Sequence, residues 1–185
     1  MDGIGICGAC GLCCDGSFFG HVEVTSAEEP ALRRHVLPLF PQGSVLAFAQ
    51  PCAAHCGDHC GAYADRPQPC VDYRCTLLRR LDAGEVGRPE ALARIAEARA
   101  LVTGLRTLAG PARDGRAASQ SLWAIVDSRV AADGAVDTPT WRRAHQTFLL
   151  EIVAVTTFLR RYFQPHLRQS SMPRSDPPRP GAGRA

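Results

Sequence analysis

All nine cysteines of this 185-residue chain lie at or before Cys75 and none follows. The chain is thereby divided into a thiol-rich first part and an Ala-, Arg- and Leu-rich second part, and the chemistry is expected in the first. An odd number of thiols fits a disulfide framework poorly. The N-terminus, Met1-Asp2-Gly3, runs straight into cysteine without the basic region and the apolar stretch of about 7 to 15 residues that a secretory signal carries. The expected setting is therefore cytoplasmic, where reduced thiols serve metal ligation or catalysis.

The thiols fall into two groups. The first, Cys7-Gly8-Ala9-Cys10-Gly11-Leu12-Cys13-Cys14, places four thiols within eight residues, and its glycines let the backbone turn tightly around a small centre. Thiols at this spacing can bend onto one zinc ion, and the same spacing serves iron–sulfur clusters. Side chains of neighbouring residues diverge, so the adjacent Cys13 and Cys14 point to more than one metal ion or to two sides of a cluster. The second group is Cys52, Cys56 and Cys60 at four-residue intervals, then Cys70 and Cys75, with His55 and His59 interleaved. Pro51 suits a helix start that would put the first three on one face; Gly57 and Gly61 suit a loop wrapped around a metal equally well.

Two motifs in this order resemble the YkgJ-like cysteine-cluster family. The run from Cys7 to Cys14 matches its CxxCxxCC signature. Cys60-Gly-Ala-Tyr63-x2-Arg66-Pro67-x2-Cys70-x2-Tyr73-x-Cys75 is similar to its second signature, with Cys52 at the position of the cysteine ahead of it. The resemblance covers about residues 7 to 80. It implies a zinc- or iron-binding domain whose ligands are Cys7, Cys10, Cys13, Cys14, Cys52, Cys60, Cys70 and Cys75. A related group with the same cysteine run, the flagellin lysine methylases, is thought to hold an iron–sulfur cluster. Two positions depart from the pattern: Ala62 stands where the family has Ile, and Val71 where it has Arg, for which Arg74 is a candidate substitute. Cys56 has no counterpart and is read as a spare ligand, a redox-active thiol or a packed residue.

Four thiolates on one divalent ion leave about two negative charges for nearby donors to offset, and Arg66 and Arg74 are placed to do so. Arg66 is read equally as a surface residue of the Arg-Pro turn, and Tyr63 as a packed aromatic. His55 and His59 are expected to support the thiolates through hydrogen bonds, or to face solvent, rather than to ligate. Trp123 and Trp141 are read as core, and no role is assigned to His21 or His35. No nucleophile elbow, Walker loop or dinucleotide-binding glycine motif is present.

A net charge of +3 is too small for a nucleic-acid footprint. The most apolar segment, 148–159, is interrupted by Glu151 and falls short of the roughly 20 residues that span a bilayer. No membrane partner is expected.

The local pattern predicts a mainly α protein, a cysteine-rich cage of loops and helices packed against a small C-terminal helical bundle. Val22 to Thr25 reads as a strand, and Val45 to Ala49 as a strand or buried extended chain. A helix capped by Thr25 or Ser26 contains Glu28, Glu29 and Pro30. Further helices are expected from Thr76 to near Gly84, from Pro89 to Gly110 with Leu92, Ile95, Val102 and Leu105 inward, and over 117–130. A last one runs from Thr138 as N-cap through Trp141, Phe148, Ile152, Val155 and Leu159 to a stop before Pro165. The expected units are a cysteine-cluster domain over 1–84, helices packing on it over 85–168, and a disordered Pro/Arg-rich tail over 169–185. The leading expectation is a module in which zinc or iron, an iron–sulfur cluster included, replaces the core that the first part lacks. The alternatives are an iron–sulfur enzyme, either methylase-related or an oxidoreductase, and a zinc-stabilised interaction adaptor.

Overall fold

In the computed structural model, which describes residues 3–57, 59–110, 121–131, 138–164 and 169–171, the chain enters as a helix, crosses into a small sheet, loops through the second cysteine group, and returns in helices. The elements are α1 (Gly3–Cys10), β1 (Phe19–Val24), α2 (Glu29–Arg34), β2 (Leu39–Gln42), β3 (Val45–Ala49), a 3₁₀ turn (Tyr63–Asp65), α3 (Gln68–Asp72), α4 (Thr76–Asp82), α5 (Arg88–Ala109), α6 (Leu122–Ala131), α7 (Pro139–Ala144), α8 (Gln146–Tyr162) and β4 (Gln169–Ser171). The fold is mainly helical. Among the described residues no helix is long and apolar enough to cross a membrane.

The helical part obeys the apolar periodicity. On α5, Ile95, Val102 and Leu105 are buried, and α8 buries Phe148, Val155 and Leu159. Helix α5 packs against α8, α6, α4 and α1 and is the axis around which the other helices gather. The single helix expected from Thr138 to Pro165 is two. Thr138 caps α7 as expected, its Oγ1 accepting from Trp141 N–H at 3.2 Å. The chain then breaks at His145, whose ring stacks on Trp141 with centroids 4.4 Å apart. Both tryptophans are buried, as expected of core residues. Residues 117–120, expected to begin the third helix, lie outside the described residues, and α6 is described from Leu122.

The sheet is more than the isolated strands expected. Its order is β2-β3-β1-β4, with β1 antiparallel to β3 (Val22 opposite Phe48), β3 antiparallel to β2, and β4 parallel to β1. The tail expected to be disordered from 169 therefore contributes a strand over 169–171, and 172–185 lie outside the described residues. The expectation that the first part lacks a core is corrected. Phe18, Phe19, Val22, Val24, Leu32 and Phe48 are at most 2% exposed and join one apolar cluster with the helices. Along β1 the buried Val22 and Val24 alternate with the partly exposed His21 and Glu23, and Phe19 is buried at the start of the strand.

Candidate metal centre

Four short elements position the thiols. Helix α1 carries Cys7 and Cys10 three residues apart, hence on neighbouring turns of one face; the tight loop expected over this stretch begins only after Cys10. The helix ends at Gly11, where φ is +69°, and a Cβ there would lie 2.9 Å from His55 Nε2. Glycine is required for both reasons. The next turn carries Cys13 and Cys14, closed by Cys14 and Asp15 N–H groups donating to the Gly11 carbonyl at 2.8 and 2.9 Å.

The second group is a loop, not a helix. The end of β3 is tied to β1 by Gln50 N–H donating to Gly20 O at 2.9 Å, and two residues on Cys52 N–H donates to Cys14 O at 2.8 Å. That bond sets the two cysteine stretches side by side across 38 residues of chain. The loop then folds on itself through a bridge between His55 and Cys60 and a bond from Gly61 N–H to Ala54 O at 2.8 Å. Glu28 anchors the stretch beyond this loop: one carboxylate oxygen accepts from Thr25 N–H and Oγ1–H at 2.7 and 2.8 Å, the other from Gln68 N–H at 2.6 Å. Helix α3, with Cys70, is thereby fastened to the start of α2. Cys75 is the N-cap of α4, its Sγ accepting from Leu78 N–H at 3.4 Å.

The helical part clamps the first group. From α5, Arg99 donates to Ala9 O at 2.8 Å and Arg106 to Asp15 O at 2.7 Å, the first within the cysteine run and the second just after it. Trp123 Nε1–H donates to Ser17 O at 3.0 Å and Leu122 N–H to Gly16 O at 2.9 Å. At Gly16, with φ +80°, a Cβ would meet Ser121 Cα at 2.8 Å, so this approach also requires glycine. Thr76 N–H donates to Phe163 O at 2.8 Å, setting the head of α4 against the end of α8.

These constraints bring Cys7, Cys10, Cys13, Cys14, Cys52, Cys60, Cys70 and Cys75 to the wall of one cavity of about 540 Å³. Cys56 is exposed and is not part of that wall; its Sγ–H points instead to Ala54 O at 3.7 Å. Apolar side chains, Phe18 and Phe48 among them, complete the lining. Among the described residues, no group of three or more His, Cys, Asp or Glu side chains is arranged to hold a metal ion as it stands.

Burial governs the electrostatics. It pushes Cys14 up to about 12 from the ordinary thiol value of 9.0, with repulsion from Cys52 and Cys60 adding to it. Cys10, Cys13 and Cys70 are raised well above 9.0 for the same reason, and Cys7, Cys52 and Cys75 are raised as well. At neutral pH these thiols hold their protons until something thiophilic displaces them. The arginines act as expected on part of the wall: Arg74 and Arg66 both favour the Cys7 thiolate, and Arg66 favours that of Cys70. Arg74 is shared with Asp82 in an ion pair, and Arg66 stacks over the Tyr63 ring, 3.7 Å from its centroid. Tyr63 is thus no packed core aromatic; it is 38% exposed and holds Arg66 at the cavity.

Three cavity side chains carry polar atoms whose pairing no sequence pattern shows. Gln50 Oε1, His55 Nε2 and Tyr73 Oη are buried and have no hydrogen-bond partner among the described residues. An unmet buried polar atom costs about 1 to 3 kcal/mol, and three of the six such atoms among the described residues lie on this wall. Tyr73 belongs to the second motif, yet nothing in that motif shows its hydroxyl to be unpaired; its ring stands edge-on to Phe19 at 5.0 Å. His59 also lines the cavity but is exposed. No family model, curated protein or solved structure matches the chain.

Proposed function

We propose that the protein is a metal-binding cysteine-cluster protein that holds zinc or iron through Cys7, Cys10, Cys13, Cys14, Cys52, Cys60, Cys70 and Cys75, and that it belongs with the YkgJ-like family on the strength of its two motifs. The observation that carries this reading is that thiols from stretches of chain dozens of residues apart line one cavity, while the single thiol outside the motifs, Cys56, does not. Simple packing of small apolar residues would not sort the nine in that way. The donor set fits a thiophilic metal: sulfur in excess, guanidinium groups at Arg66 and Arg74, and unpaired polar atoms at His55 and Tyr73 to support thiolates.

Eight wall thiols exceed the four that a lone tetrahedral zinc takes, and thiolates at this spacing also serve iron–sulfur clusters. Such a centre supplies electrons or a rigid anchor, and the chain's own residues exclude water with Phe18 and Phe48 and balance charge with Arg66 and Arg74. An oxidoreductase is the second reading, favoured by the exposed Cys7 at the edge of the wall, which would bring a redox centre close to the surface.

Anaerobic purification with metal and sulfide analysis tests the proposal. The expected product is brown, carries iron and acid-labile sulfide, and bleaches in air; a colourless product with stoichiometric zinc would keep the metal site and remove the cluster. Fully folded protein free of both metals, made under reducing conditions with both supplied, would end the reading.

A further inference from the structure

The stretch of cavity wall between Cys60 and Cys70 is held differently from its neighbours. Helix α1, the turn after it, α3 and α4 each sink a side chain into the interior: Ile6, Leu12, Pro69, and Leu77 with Leu78. The 3₁₀ turn Tyr63–Asp65 buries no residue, and Arg66 after it is only partly buried. On either side the chain is anchored, by Ala62, 3% exposed, and by the buried Pro67. Residues 63–66 thus form a flap between two fixed points.

The flap is closed on itself. Tyr63 N–H donates to Cys60 O at 3.2 Å and Asp65 N–H to Ala62 O at 3.0 Å, while Arg66 Nε–H donates to Tyr63 O at 3.1 Å and its guanidinium stacks over the Tyr63 ring. Among the described residues, the hydrogen bonds and ion pairs that run from the flap to another element all start from one side chain. Asp65 Oδ2 lies 2.8 Å from His35 Nε2, and Oδ1 lies 3.7 Å from Arg34 Nη2, both at the end of α2. The far anchor is pinned to the same helix, since Gln68 N–H donates to Glu28 at its head at 2.6 Å.

We propose that residues 63–66 are a gate on the cavity, hinged at Ala62 and Pro67 and latched to the end of α2 by Asp65. Tyr63 and Arg66 are its inner face, since both line the cavity, and Cys60 and Cys70 are the wall thiols that flank it in the chain. Opening breaks the contacts of one partly exposed carboxylate and draws no buried side chain of the flap into water, so it needs far less free energy than unfolding does. The gate goes beyond the metal-binding reading and serves any small soluble reactant that approaches these thiols.

The test is alkylation of the reduced, metal-free full chain by iodoacetamide under native conditions, followed thiol by thiol by mass spectrometry. Asp65→Ala should speed modification of Cys60 and Cys70 about threefold, while the exposed Cys56, outside the wall, keeps its wild-type rate. His35→Ala leaves the Arg34 contact and should give a smaller increase, and adding it to Asp65→Ala should change nothing further. Glu29→Ala breaks an ion pair with Arg33 that does not touch the flap, and should leave every rate alone. Wild-type rates at Cys60 and Cys70 in folded Asp65→Ala would overturn the gate. Faster modification accompanied by faster amide exchange in α5 would overturn it too, because the whole fold would then have loosened. Where Asp65→Ala does not fold, hydrogen exchange of the wild type decides: amides of 63–66 that exchange at a rate indifferent to low urea open locally and support the gate, and amides that respond to urea as those of α5 do refute it. Metal content enters none of these readouts, so a chain that bound no metal would still decide the gate.

Discussion

The contact between α5 and α8 and the contact between the two cysteine stretches are both interiors of one molecule, built on opposite terms. Across the helices, Val102, Leu105, Val155 and Leu159 are at most 3% exposed and fill the space between them. Between the cysteine stretches lies a cavity of about 540 Å³ whose wall carries eight thiols and three unpaired polar atoms. Packing alone accounts for the first interior. The second is shaped from outside, by the sheet on one side and by Arg99, Arg106 and Trp123 on the other. If the cavity holds metal as proposed, its removal should loosen the 52–75 loop while sparing the sheet and α5.

The sharpest way to break this contrast is pH. In the metal-free chain the wall thiols stay protonated when folded, Cys14 up to about 12, whereas unfolded thiols ionise from about 9.0. The folded pKa is raised, so this contribution is fully present below pH 9.0 and is lost as pH climbs towards 12. At about 1.4 kcal/mol per pK unit for each buried thiol, this is the largest effect expected. The loaded protein runs the other way and sheds metal as pH falls, because its ligands must be deprotonated. Denaturation of both forms across pH should give slopes of opposite sign, and parallel slopes would dissolve the distinction.

Leu159→Ala, at a fully buried position of α8, should cost about 2 to 5 kcal/mol by urea denaturation in metal-free and loaded protein alike. A cost that depended on metal would mean that the two interiors are one. Arg106→Gln removes the bond to Asp15 O and should cost about 1.5 to 3 kcal/mol, with faster hydrogen exchange confined to the cysteine turn. Gly11→Ala places a side chain at positive φ against His55 and should cost about 1 to 3 kcal/mol, together with weaker metal binding. Smallest of all, Cys56→Ser should shift stability by less than about 0.5 kcal/mol and leave metal content unchanged, since Cys56 is exposed and outside the wall. In loaded wild type, Cys56 should be the thiol that a maleimide modifies first.

Much of this was legible locally. The helical positions of Ile95, Val102, Leu105, Val155 and Leu159, the Thr138 cap and the strand at Val22 come from periodicity and side-chain chemistry within a few residues. Glycine content suggested a loop over Cys7 to Cys10 where α1 forms, because propensity is a weak prior and α1 gains its stability by packing on α5. The break at His145 escaped for a similar reason, since the ring stacked on Trp141 interrupts a pattern that is apolar on both sides of it.

The amino-acid sequence by itself singled out the candidate ligands: thiols are scarce, reactive and clustered, and their spacing is visible without any fold. Tertiary structure alone decided that eight of those thiols line one cavity, which polar atoms beside them go unpaired, and that Cys56 stands aside. These depend on contacts such as Arg99 with Ala9 and Arg106 with Asp15, made across 90 and 91 residues of chain. Local periodicity holds no record of partners that far apart.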